Sequence, residues 1–370
     1  MTADVVVAGG GLIGLSVAWR AAQRGLSVTV VDDDPGSGAS HAAAGMLAPV
    51  SEAGYGEEPI LQLARASLAR YPEFLADLAR ATGTEVPLRT AGTLVVGFDD
   101  DDARVLAELH AFHVELGLST DRLTGREARR REPSLTPRVR GGLLVSGDLS
   151  LDPRELHPVL LAAAEAAGVR LVRSRVAGLL VEDGRAVGIG LDGGDEVRAA
   201  TVVLALGALS ARLPGAPALP VRPVKGQVLR LRGAAGLLSG SVRALVRGRS
   251  VYLVPHGEDR LVVGATMEER GFDATVTAGG VHELLHDAID VVPGVTELEL
   301  AETVARWRPG TPDNAPLLGH SGLPGLVLAT GHYRNGVLMT PITGELVADL
   351  LASGETPALA AHFDIGRFGR

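Results

Sequence analysis

The sequence predicts an α/β fold, α+β overall. A domain on a parallel sheet, which the chain leaves and re-enters, is joined to a second domain on an antiparallel sheet. Three observations carry this. Residues 5–31 read strand, glycine turn, helix, strand, the opening of a parallel βαβ unit. Short unbroken apolar runs recur at 202–206 and 326–330, each followed by glycine, as in strands buried on both faces. Between them, from 221 to 266, the texture changes to alternating strands bounded by turn residues. At 370 residues the chain exceeds one ordinary domain. Residues 1–85, 145–220 and 305–370 are assigned to the first domain, and 86–144 with 221–304 to the second.

The elements follow in order. Residues 5–8 form a strand, 9–14 a turn, and 15–24 a helix stopped by Gly25. The next strand is 28–31, with Asp32 just past its end. A helix over 60–80 is expected to bend at Pro72. A strand at 88–96 and a helix at 103–116 come next. Asp152-Pro153-Arg154-Glu155 places an N-cap, a proline at the first helical position and an acid in the first turn. That helix runs to 167 and Gly168 closes it. Strands are read at 169–172, 176–181 and 202–206, then at 227–231, 251–255 and 261–265 in the second domain. A last strand at 326–330, a glycine turn at 331–336 and a helix at 337–351 complete the chain.

Composition excludes several classes. The net charge of −9 offers no basic face for nucleic acid. Lys225 is the only lysine, which reads as a bias toward arginine. Aromatics are 3%, so the core must be built from Ala, Val and Leu. The absence of cysteine excludes disulfides, thiolate nucleophiles and a cysteine-linked cofactor. The N-terminus lacks a basic region before its apolar run, and glycines interrupt that run, so it does not read as a signal peptide. No apolar stretch is long enough to span a bilayer, and a cytoplasmic protein is expected.

The chemistry begins with Gly9-x-Gly11-x-x-Gly14. Between a strand and a helix, these glycines let the backbone at Gly11, Leu12 and Ile13 approach a pyrophosphate at the helix N-terminus. Asp32, with Asp33 beside it, can accept hydrogen bonds from an adenosine ribose and would repel a 2′-phosphate, which disfavours NADP. Residues 36–46 are nearly all small, including Ala39, Ser40, Ala44, Gly45 and Met46. Such a run can lie against a flat ring or a pyrophosphate, and NAD enzymes do not need it there. FAD is therefore expected, although the run alone could be a flexible loop.

A rival signal is His282-Glu283-Leu284-Leu285-His286, a literal H-E-x-x-H. In a zinc metallopeptidase the two histidines would bind metal and Glu283 would be the base. No third histidine follows at the expected spacing, and only Glu297, Glu299 or Glu302 could substitute. Val281, Leu284, Leu285, Ala288 and Ile289 form an ordinary amphipathic stripe, so no metal site is expected there. His110 and His113 read as a solvated helix face.

Further segments give a resemblance. Ala42-Ala43-Ala44-Gly45-Met46-Leu47, Pro223-Val224-Lys225-Gly226-Gln227 and Tyr252-Leu253-Val254-Pro255 are matched in order. So are Val263-Gly264-Ala265-Thr266-Met267, Arg308-Pro309-Gly310-Thr311-Pro312-Asp313 and Gly331-His332-Tyr333-Arg334-Asn335-Gly336. Together they make the chain resemble the D-amino-acid-oxidase superfamily of flavoenzymes, and within it the glycine oxidase branch of bacterial thiamine biosynthesis. The resemblance implies a discontinuous Rossmann-like FAD domain, non-covalent FAD, a homo-oligomer (a tetramer in that branch), and oxidation of glycine by O2. A sarcosine or D-amino-acid oxidase, or a dehydrogenase of the same superfamily, is the alternative. It implies that Arg308 grips the substrate carboxylate, helped by Tyr252, and that Arg334 and Met267 line the pocket. Gly331, His332, Tyr333, Arg334, Asn335, Gly336, Val337 and Leu338 would cover the pyrimidine side of the flavin, at the start of the last helix. Val176 would meet the adenine through its backbone, and Gly207 would border the cofactor. No side chain is implied as acid or base, since a hydride leaves Cα once the amine is neutral. Asp32 stands where the branch more often has Glu, and Ala39 where it often has a hydroxyl.

Overall fold

The computed structural model describes residues 3–369. Met1 and Thr2, part of the segment read as lacking a leader, lie outside the described residues. No helix among the described residues is long and apolar enough to cross a membrane.

The first sheet runs in the order Leu317–His320, Leu326–Thr330, Glu196–Leu204, Ala3–Ala8, Val28–Val31, Arg170–Val172. The strands from Leu326–Thr330 to Arg170–Val172 pair in parallel, and the Leu317–His320 edge is antiparallel. Val5, Val6, Val7 and Ala8 are all buried, as are Val28, Val30 and Val31, because both faces of this sheet are covered. Helices Leu12–Gln23, Glu58–Thr82, Pro153–Ala166 and Thr340–Ser353 pack together in the core on one face. The hairpin Val176–Glu182 and Arg185–Leu191 extends from Glu196–Leu204 over the other. Helix Leu12–Gln23 lies close enough to Thr340–Ser353 for the Ser16 hydroxyl to donate to the Thr340 carbonyl at 2.8 Å. A Cβ at Gly344 would strike Ser16, so Gly344→Ala would separate the two helices.

The second sheet runs Glu299–Gly310, Arg222–Arg232, Arg260–Gly264, Arg249–His256, Ser241–Val246, Thr93–Gly97, Gly141–Val145, Asp121–Thr124. It was expected to be antiparallel throughout. Instead Ser241–Val246 pairs in parallel with Thr93–Gly97, because the sheet is assembled from two separate excursions of the chain that meet there. Its strands divide their residues by the two-residue period of the pleat. Leu229, Leu231, Val251, Leu253, Leu261 and Val263 face helix Ala278–Val291 and its Leu284, Ala288 and Val291. The intervening Val228, Tyr252, Val254, Val262 and Val304 face the other way, toward Ala42 and Ala44 of the small-residue loop. Burying one aliphatic side chain of this kind stabilises the fold by about 1.5–3 kcal/mol. The alternation thus fixes which residues are left to face the small-residue loop.

Several expected elements shift. The strand expected at 88–96 is Thr93–Gly97, with Arg89 forming only a bridge to Ser150. The helix Glu58–Thr82 passes through Pro72 as one element. The last helix begins at Thr340 rather than 337, because residues 333–339 form turns, among them Asn335 N–H to His332 O and Met339 N–H to Asn335 O. The longest strand, Glu299–Gly310, had no reading from the sequence. Glu299, Glu302, Arg306 and Arg308 break its apolar alternation, since one of its faces is a charged wall.

Candidate active site

A cleft of about 1440 Å³ runs between the two sheets, from Asp32 and Val176 at one end to Tyr252, Met267 and Arg308 at the other. Ligand sites for small molecules commonly measure about 300–1,000 Å³. This one is large enough for a dinucleotide and a small substrate together.

The dinucleotide end is built on the first parallel strands. Helix Leu12–Gln23 points its N-terminus into the cleft with no side-chain cap and no acid in its first turn. Its dipole and the first-turn N–H groups beyond Leu12 therefore favour an anion. Gly9 has a φ of +112°, and a Cβ there would lie 2.8 Å from the Ala205 carbonyl carbon, so only glycine fits. Asp32 accepts from Gly10 N–H at 2.6 Å and Asp34 N–H at 2.9 Å. Burial raises its carboxyl above the ordinary value, and these two bonds work against the rise. The Ser40 hydroxyl accepts from Leu12 N–H at 3.2 Å.

The small-residue loop is held from behind. Arg154 and Arg230 donate to the His41 carbonyl at 2.9 and 3.1 Å, and His256 meets the Ala44 carbonyl at 2.8 Å. Leu151 N–H takes the Gly45 carbonyl. With these acceptors tied down on the far side, small side chains and backbone face the cleft, a surface suited to a flat ring. Arg154 in turn pairs with Glu302, whose carboxyl it holds down at about 2.

The other end is built on the cleft face of the second sheet. Arg308 lies across Gly226, where a Cβ would sit 2.6 Å from the guanidinium carbon. The Tyr252 ring lies across Gly264, whose Cβ would sit 2.5 Å from Cζ of that ring. The two glycines are thus seats for the two polar side chains. Burial raises the Tyr252 hydroxyl above the usual phenol range and Arg308 opposes the rise, so it stays a neutral donor.

Charge pairing separates the arginines lining this end. Arg243 pairs with Glu52 at 3.2 Å, Arg334 with Glu57 at 3.2 Å and Arg249 with Asp287. Among the described residues Arg308 has no carboxylate partner; it donates to the Thr266 carbonyl at 3.1 Å and bonds with Tyr252. A half-buried guanidinium left unpaired between polar walls is suited to a ligand carboxylate, which its fork can hold at two points. Glu52 and Glu57 lie on the loop 48–57, whose start is held by Asp148: its carboxylate accepts from Val50 and Ser51 N–H at 3.4 Å. Burial pushes the Asp148 carboxyl up to about 6.

Most of the residues singled out in the sequence line this cleft: Gly9, Gly11, Leu12, Ile13, Asp32, Asp33, Ala39, Ser40, Ala44, Gly45, Met46, Val176, Gly207, His332, Tyr333, Arg334, Gly336, Val337, Arg308, Tyr252 and Met267. Gly14, Gly331, Asn335 and Leu338 do not. Gly14 packs against the Gly9 carbonyl, and Gly331 makes a turn against Thr311. Leu338 lies in the core, and Asn335 is buried in the turn. His332 lines the cleft, but its ring is buried against the Thr343 hydroxyl at 3.0 Å, and burial holds it neutral with a pKa lowered to about 3. The helix dipole expected at 337 starts three residues later, at Thr340.

Sequence reasoning missed four contributors. Glu52 and Arg243 form a paired wall beside Tyr252, from which Arg243 is the directly opposed residue on the next strand. Arg306 lines the cleft two residues before Arg308. Lys225 is fully buried, with Nζ 2.8 Å from Asp273 and 3.4 Å from Glu268, tying down the segment that presents Met267. A sole lysine within a matched segment was the available signal.

His282 and His286 lie on one face of helix Ala278–Val291, ring centres 5.9 Å apart. His286 is bonded to Asp287, which is itself held by Arg249. No group of three or more His, Asp or Glu among the described residues is placed to hold a metal ion.

The profile of the family described as FAD dependent oxidoreductase matches residues 4–350. The chain is 37% identical over 372 residues to the glycine oxidase of Geobacillus kaustophilus, covering 98% of this chain and 97% of that protein. It is 36% identical over 374 residues to the bifunctional protein ThiO/ThiG of a Nostoc species, covering 99% of this chain but only 55% of the relative. The chain thus spans about half the length of that two-function protein. The crystal structure of the Geobacillus enzyme superposes with a TM-score of 0.91 at 34% identity, over 99% of both chains. With the cleft's glycine turn, uncapped helix and small-residue loop fitting a flavin dinucleotide, this chain belongs to the family of FAD-dependent oxidoreductases.

Proposed function

We propose that this protein is a glycine oxidase, converting glycine, O2 and H2O to glyoxylate, NH3 and H2O2 through iminoacetate. The observation that carries the reading is the unpaired Arg308 guanidinium, seated over Gly226 beside the neutral Tyr252 hydroxyl. The full-length likeness to a glycine oxidase supports it. FAD, when bound, supplies the hydride acceptor and passes the electrons to oxygen.

The chain's residues do the rest. Gly11, Leu12 and Ile13 would hold the diphosphate, Asp32 the adenosine ribose, and 42–46 the flavin ring. Arg308 would grip the substrate carboxylate in its fork and so fix Cα, with Tyr252 donating to the same group. Met267 and Tyr333, joined by a hydroxyl-to-sulfur bond at 3.2 Å, would close the pocket around a small substrate. The Glu52–Arg243 and Glu57–Arg334 pairs offset the charge of those two arginines, so beside Tyr252 it is Arg308 that is left to attract a carboxylate. The iminoacetate would serve as the imine for thiazole formation in thiamine biosynthesis. We place the enzyme in the cytoplasm as a homo-oligomer, a tetramer by resemblance, which light scattering would test.

The test is a substrate screen of the purified protein with peroxide detection. Glycine turnover with one peroxide per glycine supports the reading. Turnover of bulky D-amino acids far above glycine overturns it in favour of a D-amino-acid oxidase, and turnover with a dye but no peroxide overturns it in favour of a dehydrogenase.

A further inference from the structure

Arg306 and Arg308 stand two residues apart on the Glu299–Gly310 strand and so share its cleft face. Of the half-buried arginines lining the cleft, these two alone lack a carboxylate partner among the described residues. Arg243, Arg249 and Arg334 are paired, while Arg175 and Arg212 are exposed. Arg308 is accounted for by the substrate. Arg306 is not.

Its position is defined by its bonds. Nε donates to the Ser37 carbonyl at 2.7 Å and Nη1 to the Ala305 carbonyl at 2.8 Å. Nη2 has no partner. Ser37 opens the turn that carries Gly38, Ala39 and Ser40, all lining the cleft, and Ser40 reaches the N-terminus of helix Leu12–Gln23. The guanidinium is therefore fastened to the same turn that reaches the helix N-terminus, and both line the cleft. The same neighbourhood holds Asp32, Asp33 and Asp34, which would repel an anion unless a cation offset them.

We propose that Arg306 is a cofactor-binding residue that closes on the FAD diphosphate from the second sheet, opposite the glycine turn. The diphosphate is then held between backbone amides of one domain and a guanidinium of the other, so cofactor binding joins the two sheets. Arg308 sets the substrate by the same strand, which makes Glu299–Gly310 a ruler between the two anions. The proposal rests on FAD as the cofactor.

The test uses full-length apoprotein, with affinities for FAD, ADP and adenosine measured by fluorescence or calorimetry at several salt concentrations. ADP carries the diphosphate without the flavin, and adenosine carries neither. Arg306→Gln should weaken FAD and ADP by about ten- to a hundredfold, the range for losing a hydrogen bond to a charged group. It should leave adenosine unchanged and flatten the salt dependence of ADP binding. Arg306→Lys should recover part of the loss. Unchanged ADP affinity, an equal loss for adenosine, or a raised KM for glycine with ADP untouched would each overturn the assignment. If Arg306→Gln does not fold, the wild-type salt series and Arg306→Lys decide. Salt-independent ADP binding by the wild type, or Arg306→Lys binding ADP like the wild type at every salt concentration, overturns the proposal. A wild-type protein that binds neither FAD nor ADP would strike at the cofactor itself.

Discussion

Replacing Gly226 by alanine separates the chemistry of the site from the stability of the fold. The residue lies in the middle of a strand paired on both sides, so an alanine there costs the backbone nothing and removes some freedom from the unfolded chain. The added methyl would sit 2.6 Å from the guanidinium carbon and Nη2 of Arg308. Carbon contacts relax near 3.5–4.0 Å, so the guanidinium must move by about 1 Å. It is the far end of a flexible side chain and can move cheaply, but only away from the place where a carboxylate would meet it. A misplacement of about 1 Å can cost around a hundredfold in rate. Gly226→Ala should therefore lower kcat/KM for glycine by about a hundredfold, some 2.7 kcal/mol, with an unchanged or slightly raised Tm. Peroxide-coupled kinetics give the first number, thermal melting the second, and the flavin absorbance shows that FAD remains. A kcat/KM within about threefold of wild type would refute the seat argument, and so would loss of FAD.

Arg308→Ala should cost roughly thirty- to several-thousand-fold in kcat/KM with the flavin spectrum intact, and Arg308→Lys should recover only part; release of FAD instead would remove the carboxylate role. Asp148 is pushed up to about 6, above its ordinary 3.8, so the folded protein holds that proton more tightly than the unfolded chain does. That contribution is present below about pH 4 and lost as pH rises toward 6, amounting to as much as about 3 kcal/mol. Asp148→Asn should accordingly raise the Tm relative to wild type at pH 8 and leave it nearly equal at pH 4; a Tm gap independent of pH would contradict this. Replacing His282 and His286 together by Gln should leave oxidase turnover nearly intact, whereas stoichiometric zinc with activity lost to a chelator would restore the peptidase reading.

The parallel half of the fold was readable because its signals are local. Val28–Val31 and Leu326–Thr330 occur where unbroken apolar runs end in turn residues, and Asp152 caps its helix by accepting from Arg154 N–H at 2.9 Å. The Glu299–Gly310 strand was not readable, since its partner lies some 80 residues earlier in the chain and one of its faces carries Glu302, Arg306 and Arg308 in place of apolar residues. That Gly9, Gly11 and Asp32 line one cleft was readable because a glycine turn between strand and helix and an acid at the end of the next strand stand at fixed spacing. The Glu52–Arg243 wall did not, because its members come from a loop and a strand distant in sequence and no spacing relates them. Lys225 looked like composition and proved to be an anchor, because only tertiary structure places Asp273 and Glu268 around it.

The alternation of the second sheet has a consequence for how the chain can go wrong. Eleven pairings, with one register shift between Arg230 and Leu231, join Arg222–Arg232 to Glu299–Gly310. Slipping that ladder by one residue would turn Arg306 and Arg308 to the opposite face of the strand, where Ala305 is buried and Trp307 packs edge-on against Phe272. Two guanidiniums on that face would displace Trp307 from Phe272 and leave the cleft without both of its unpaired arginines. A misaligned chain would thus lose the charged wall of the cleft together with the aromatic contact behind it. The charges proposed to recognise ligands would therefore also mark the register of the sheet that carries them.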